Sequence, residues 1–169
     1  MGGLALSFWR HPRFTKDVDV LVMLGDTDVA QLIEDLTAAG VRAKRAEPLL
    51  RLADAEFLQC LYEPPETFLD VQVDLLLVCN EYQRQAIQRR VKAAASELGF
   101  EIDVLACEDM ILHKLLAGRI IDLMDAATLL RANRTAIDFT YLRRWIQEKA
   151  LDADYARIWA EAFPNEPMA

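Results

Sequence analysis

Cysteine, glycine and proline are all scarce in this 169-residue chain, and each shortage excludes something. Three cysteines, Cys60, Cys79 and Cys107, stand far apart with no Cys-x-x-Cys pair, so neither a disulfide framework nor a zinc knuckle is indicated. Reduced, mostly buried thiols are expected. Six glycines and six prolines fall below average usage and no stretch is of low complexity, which argues against a disordered or fibrous chain. Long apolar runs are missing too: the longest, Val20 to Leu24 and Leu75 to Cys79, hold five residues each, against the roughly 20 that span a bilayer. The N-terminus carries no cation ahead of its short apolar stretch, the wrong order for a signal peptide, so a cytoplasmic protein without membrane segments is expected. Positive charge is the minority sign: 19 Lys and Arg against 27 Asp and Glu leave a net charge of −8. That balance disfavours non-specific adhesion to nucleic acid or anionic lipid, so a nucleic-acid partner must be met by a local basic patch.

What is present is a chain 53% apolar or aromatic, long enough for one substantial core. Residues 3–10 read as the first turns of a helix stopped at His11-Pro12. Asp17 to Met23 alternates polar and apolar and then becomes wholly apolar, the pattern of a strand that starts at an edge or cleft and ends buried. An amphipathic helix follows from Thr27 or Asp28 to Ala39, closed at Gly40. Strands are expected over Val41 to Arg45, Glu56 to Tyr62, Phe68 to Val78 and Glu101 to Leu105. Helices are expected over 81–98, with Asn80 as N-cap, and over 108–118, 121–132, 139–149 and 153–163. This order predicts an α/β (α+β) fold: a mixed β-sheet core at 1–106 flanked by helices, and a helical C-terminal part at 107–169.

Asp17 and Asp19 stand two apart on a predicted strand, so their carboxylates share one face roughly 6 to 7 Å apart at the backbone. Asp74 sits where another strand passes from mixed to apolar, with Asp70 four residues before it. If the two strands are neighbours, three carboxylates converge on a site suited to a hard cation such as Mg²⁺, which keeps waters and binds through carboxylates and substrate phosphates. Two such ions would serve an in-line phosphoryl or nucleotidyl transfer: Asp17 and Asp19 as ligands of both, Asp74 as the remaining ligand and proton acceptor. Gly2-Gly3, ahead of a short helix, would let the backbone approach a phosphate closely.

The ordered set Gly2-Gly3, Arg13-Phe-Thr15-Lys-Asp17-Val-Asp19 and Val73-Asp74-Leu-Leu-Leu77, followed by Glu108-Asp109 through Lys114-Leu-Leu-Ala-Gly-Arg119 to Asp122 and Asp125, resembles the nucleotidyltransferase superfamily of polymerase-β-type fold. It is most similar to the AbiEii-like bacterial toxin branch. The resemblance implies transfer of a nucleoside monophosphate from an NTP to an acceptor hydroxyl of a tRNA or a protein, a toxin or abortive-infection role, and a cognate antitoxin. It further implies that Gly2 and Gly3 cradle the triphosphate, that Arg13 and Thr15 flank the metal site, and that Lys114 reaches a phosphate. The family places a hydrophobic strand directly upstream of the glycine pair, where this sequence offers Met1. Two further readings therefore stay open: an idle nucleotidyltransferase-like fold serving as a binding or regulatory partner, and a small-molecule (antibiotic) nucleotidyltransferase.

The remaining candidates have plainer readings. Arg119, Asp122 and Asp125, at i, i+3 and i+6, suit a solvated helical face at least as well as a substrate contact. Lys114, among Ile111, Leu112, Leu115 and Leu116, is either a phosphate ligand or a snorkelling lysine. The basic stretches Arg84, Arg89, Arg90, Lys92 and Arg42, Lys44, Arg45, Arg51 are expected to be solvated faces more than RNA guides. His11 and His113 lack partners at metal-ligand spacing. Tyr141, Trp145, Trp159 and Phe163 are expected to pack the last helices together. Cys107 occupies the position of an N-cap before Glu108, costing that helix about 1 kcal/mol.

Overall fold

Parallel pairing of two strands distant in sequence organises the first half of the chain, as a computed structural model shows for all residues except 53, 54, 96–98 and 169. The elements run α1 (Gly2–Leu6), a 3₁₀ turn (Ser7–Trp9), β1 (Asp17–Val22), α2 (Val29–Ala38), β2 (Val41–Ala43), β3 (Leu49–Leu52), β4 (Ala55–Tyr62), β5 (Val71–Leu77), α3 (Glu81–Gln88), β6 (Val91–Ala95), β7 (Phe100–Val104) and the helices α4 (Cys107–Ala117), α5 (Ile120–Asn133), α6 (Phe139–Glu148) and α7 (Asp152–Ala162). They fall into two units, Met1–Leu4 with Phe14–Gln88, and Ala5–Arg13 with Arg89–Ala169.

The first unit is a mixed five-stranded sheet in the order β1-β5-β4-β2, with β3 also paired to β4. β1 and β5 are parallel and β4 is antiparallel to β5. Period 2 sends Val73 and Leu75 to one face, where they meet Leu58 and Cys60 of β4 and the apolar stripe Val29, Leu32, Ile33 and Leu36 of α2. Asp28 starts α2 by accepting a hydrogen bond from the Gln31 amide at 2.8 Å, a cap worth about 1 kcal/mol. The opposite face of β1 and β5 is left for Asp17, Asp19, Gln72 and Asp74.

In the second unit α4 and α5 supply a core of Met110, Ile111, Leu112, Leu115, Leu129 and Leu130, each at most 1% exposed. A fully buried side chain of this size contributes about 1.5–3 kcal/mol. Trp159 packs on Tyr155 and Phe163 with ring centroids 5.9 and 4.8 Å apart, the expected aromatic packing of the last helix. Tyr141 does something else: its hydroxyl donates to Asp109 at 2.7 Å, and the Arg89 guanidinium lies 3.7 Å over its ring. Residues Ala5–Arg13 are tied in by Trp9, whose indole N–H donates to the Leu105 carbonyl at 2.9 Å and whose carbonyl accepts from Asn133 at 2.9 Å.

Two expectations need correction. The helix expected over 81–98 ends at Gln88, and Val91–Ala95 is a strand paired with Phe100–Val104, the alanine-rich segment's helical preference yielding to a hairpin partner. Residues 96–98 of that expected helix lie outside the described residues. β3 falls in a stretch to which no element is assigned from the sequence. The N-cap of α4 is Ala106, not Cys107, and its side chain offers no acceptor. No helix among the described residues is long and apolar enough to cross a membrane.

Two groups on α4 give stability opposite pH dependences. Burial raises Asp109 to about 6, over the opposing Tyr141 hydrogen bond and Arg89 charge, and burial lowers His113 to about 4. A carboxyl whose folded pKa is raised contributes stability that is full below its unfolded value and fades as pH rises to about 6. An imidazole whose folded pKa is lowered contributes stability that is full above its unfolded value and fades as pH falls to about 4. Between pH 4 and 6 the two slopes oppose. Asp109→Asn should therefore unmask a rise of stability with pH, the removed term being up to about 3 kcal/mol across the window. Denaturant melts at half-unit pH steps measure this, and parallel wild-type and Asp109→Asn curves would refute it.

Candidate active site

The pairing register sets the site. Asp19 of β1 lies directly opposite Asp74 of β5, and Asp17 opposite Gln72, so the two aspartates of β1 and the one of β5 share a face. One oxygen from each of the three carboxylates lies within 4.8 Å of the others, and all three residues are partly buried. Three ionised groups so placed repel by about 3–4 kcal/mol per pair at an effective dielectric of about 20. They need an opposite charge, and an all-oxygen donor set with a shared open side is one that a hard divalent cation fits.

The glycine pair closes one side. A Cβ on Gly2 would lie 1.8 Å from the Asp19 Oδ2, and one on Gly3 would lie 2.7 Å from the Thr15 Cβ, so only glycine fits at either position with this backbone. Gly2 also has φ +70°, which favours glycine independently. The Met1 amino group donates to the Asp19 carbonyl at 2.8 Å; burial lowers its pKa while the Asp19 charge opposes that shift. Thr15 donates its hydroxyl to the Asp17 carboxylate. Thus Gly2, Gly3, Thr15, Asp17, Asp19 and Asp74 form one cluster within the first unit.

Arg13 and Lys114 belong to the second unit, in a network of their own. Lys114 Nζ lies 2.8 Å from both Asp122 and Asp125. Asp125 is also held by His11 at 2.9 Å and stands 3.5 Å from Arg13 Nε. Arg119 Nε pairs with Asp122 at 2.5 Å. Burial alone would raise the Asp122 carboxyl, but hydrogen bonds from Arg119 and Lys114 hold it below its ordinary range. Asp122 and Asp125 are 1% and 2% exposed, so the solvated-face reading of these residues is overturned: the carboxylates are buried because the cations neutralise them. Arg119 lies in the break between α4 and α5 and is not on one continuous helix with them.

The solvated reading of Arg89 fails likewise. It pairs with Glu108 at 3.1 Å and Asp109 at 3.4 Å, while Arg90 and Lys92 pair with Asp103 on the hairpin. Sequence reasoning missed one residue of the site, Gln72, whose amide donates to both Asp74 oxygens at 3.1 and 2.9 Å. Its signal was available: it stands two residues before Asp74 on a strand, hence on the same face.

A mixed sheet presenting three carboxylates from two adjacent parallel strands, beside a glycine pair that cannot bear side chains, defines a nucleotidyltransferase-type α/β protein. The family model described as "Nucleotidyl transferase AbiEii toxin, Type IV TA system" matches residues 1–167. The chain belongs to this AbiEii family. Among curated proteins none matches it.

Proposed function

We propose that the protein is a magnesium-dependent nucleotidyltransferase that moves a nucleoside monophosphate from an NTP to an acceptor hydroxyl on a tRNA or a protein, acting as a toxin countered by a cognate antitoxin. The observation that carries this reading is the meeting of Asp17, Asp19 and Asp74 beside Gly2 and Gly3, in a chain of that family. Asp17, Asp19 and Asp74 would hold Mg²⁺, two ions by resemblance. When bound, the metal offsets the charge of the triphosphate and of the leaving pyrophosphate.

The chain's own residues do the rest. Gly2 and Gly3, assigned by resemblance to cradle the triphosphate, let the Asp19 and Thr15 side chains pack directly against their turn, and the Thr15 hydroxyl fixes the Asp17 carboxylate. Asp74 takes the proton of the acceptor hydroxyl, whose oxygen bonds to the α-phosphorus as the bond to pyrophosphate breaks. Arg13 and Lys114 are assigned to phosphate binding by resemblance.

Radiolabelled NTP transfer into total tRNA and lysate protein tests the proposal, with wild type beside Asp17→Ala and Asp19→Ala. Wild type should label one acceptor class, and either variant should fall at least about 100-fold, since losing a ligand exceeds the loss of a partner behind it. Equal labelling by all three proteins would remove the assignment.

A further inference from the structure

The basic stretch around β2 has a use that solvation does not explain. In the sheet register Arg42 lies opposite Leu61, Leu61 opposite Gln72, and Gln72 opposite Asp17. Pairing continues one residue beyond β2, where the Lys44 amide donates to the Gln59 carbonyl at 2.8 Å, and Gln59 lies opposite Asp74. Directly opposed residues share a face, so Lys44, Gln59, Asp74 and Asp19 form one row across the sheet. The cation stands two strands from the carboxylates, on their side.

Gln72 joins the two. Lys44 Nζ donates to its Oε1 at 2.6 Å, and its Nε2 donates to Asp74 Oδ1 and Oδ2 at 3.1 and 2.9 Å. Chemistry fixes the amide's direction: an ammonium only donates and a carboxylate only accepts, so oxygen must face Lys44 and nitrogen must face Asp74. Asp74 is one of three crowded carboxylates, and repulsion would turn it away unless a donor held it. A lysine in direct contact would occupy the oxygens that a metal needs, whereas a lysine one amide away supplies its field and leaves lone pairs open.

We infer that Lys44 and Gln72 are positioning residues that hold the Asp74 carboxylate ready to bind the divalent cation, an inference that rests on the metal-binding reading above. The test is calorimetric titration of the full-length protein with Mn²⁺ alone, for wild type, Gln72→Leu, Lys44→Met, the double variant and Lys44→Arg. Gln72→Leu should weaken Mn²⁺ binding about 10- to 100-fold, and Lys44→Met should act in the same direction by less. The double variant should bind no more weakly than Gln72→Leu, because the two residues act in series, and Lys44→Arg should restore affinity. The metal-free unfolding temperature of Lys44→Met should stay at the wild-type value, which a merely structural role would not allow. Lys44 is exposed, so Lys44→Met reads out even if Gln72→Leu does not fold. Wild-type affinity in Gln72→Leu and Lys44→Met, or losses that add in the double variant, would overturn the relay and leave the metal site standing. No Mn²⁺ binding by wild type would overturn the metal reading and the relay with it.

Discussion

Lys114→Met should lower the unfolding free energy by about 4 kcal/mol, the usual consequence of removing one partner from a buried ion network. The side chain's length is kept, so lost packing contributes little. What is lost is the cation that stands 2.8 Å from two carboxylates, Asp122 and Asp125, both almost wholly buried. Arg119, His11 and Arg13 still face them and limit the damage. Urea melts measure the effect. Adding Asp122→Asn and Asp125→Asn to Lys114→Met should recover part of the loss, because the stranded charges disappear with their partner. A Lys114→Met protein as stable as wild type would show that the network carries no net stabilisation.

Gly2→Ala should abolish nucleotidyl transfer, by at least the about 100-fold expected for Asp19→Ala, and should weaken Mn²⁺ binding with it. The new methyl would sit 1.8 Å from one Asp19 oxygen and 2.4 Å from its Cγ, so either the carboxylate or the glycine turn must leave its place. Part of any effect is conformational, since alanine at φ +70° costs about 1–2 kcal/mol. Gly25→Ala isolates that part: Gly25 has φ +60° with nothing within 4 Å of an added Cβ. Gly25→Ala should therefore lose stability and keep full transfer activity. Transfer at the wild-type rate by Gly2→Ala would detach the glycine pair from the site.

The carboxylate site was legible because strand periodicity is short-ranged. Asp17 and Asp19 must share a face if they are in a strand at all, and the passage from mixed to apolar marks where each strand leaves the cleft. Pairing of β1 with β5 completed the triad. Gln72 was not singled out because an amide's partners depend on which strands are neighbours, and Lys44 reaches it from two strands away. The Lys114 network was misread for a different reason. Charges at helical spacing are ordinarily solvated; here Lys114 and Arg119 neutralise them, and His11 and Arg13, more than a hundred residues earlier in the chain, arrive to complete the partners of Asp125. β6 was hidden by composition: Val-Lys-Ala-Ala-Ala favours a helix locally, and only the facing Phe100–Val104 segment turns it into a strand.

The tethering of Trp9 and His11 also bears on the order in which the protein is made. Synthesis runs from the N-terminus, so this segment leaves the ribosome well before its partners, the Leu105 carbonyl, Asp125 and the Asn133 amide. A nascent chain that has reached Gln88 already holds all three carboxylates, yet Trp9 and His11 still lack these three partners. Fastening of Trp9 and His11 therefore has to await synthesis of the chain through α5.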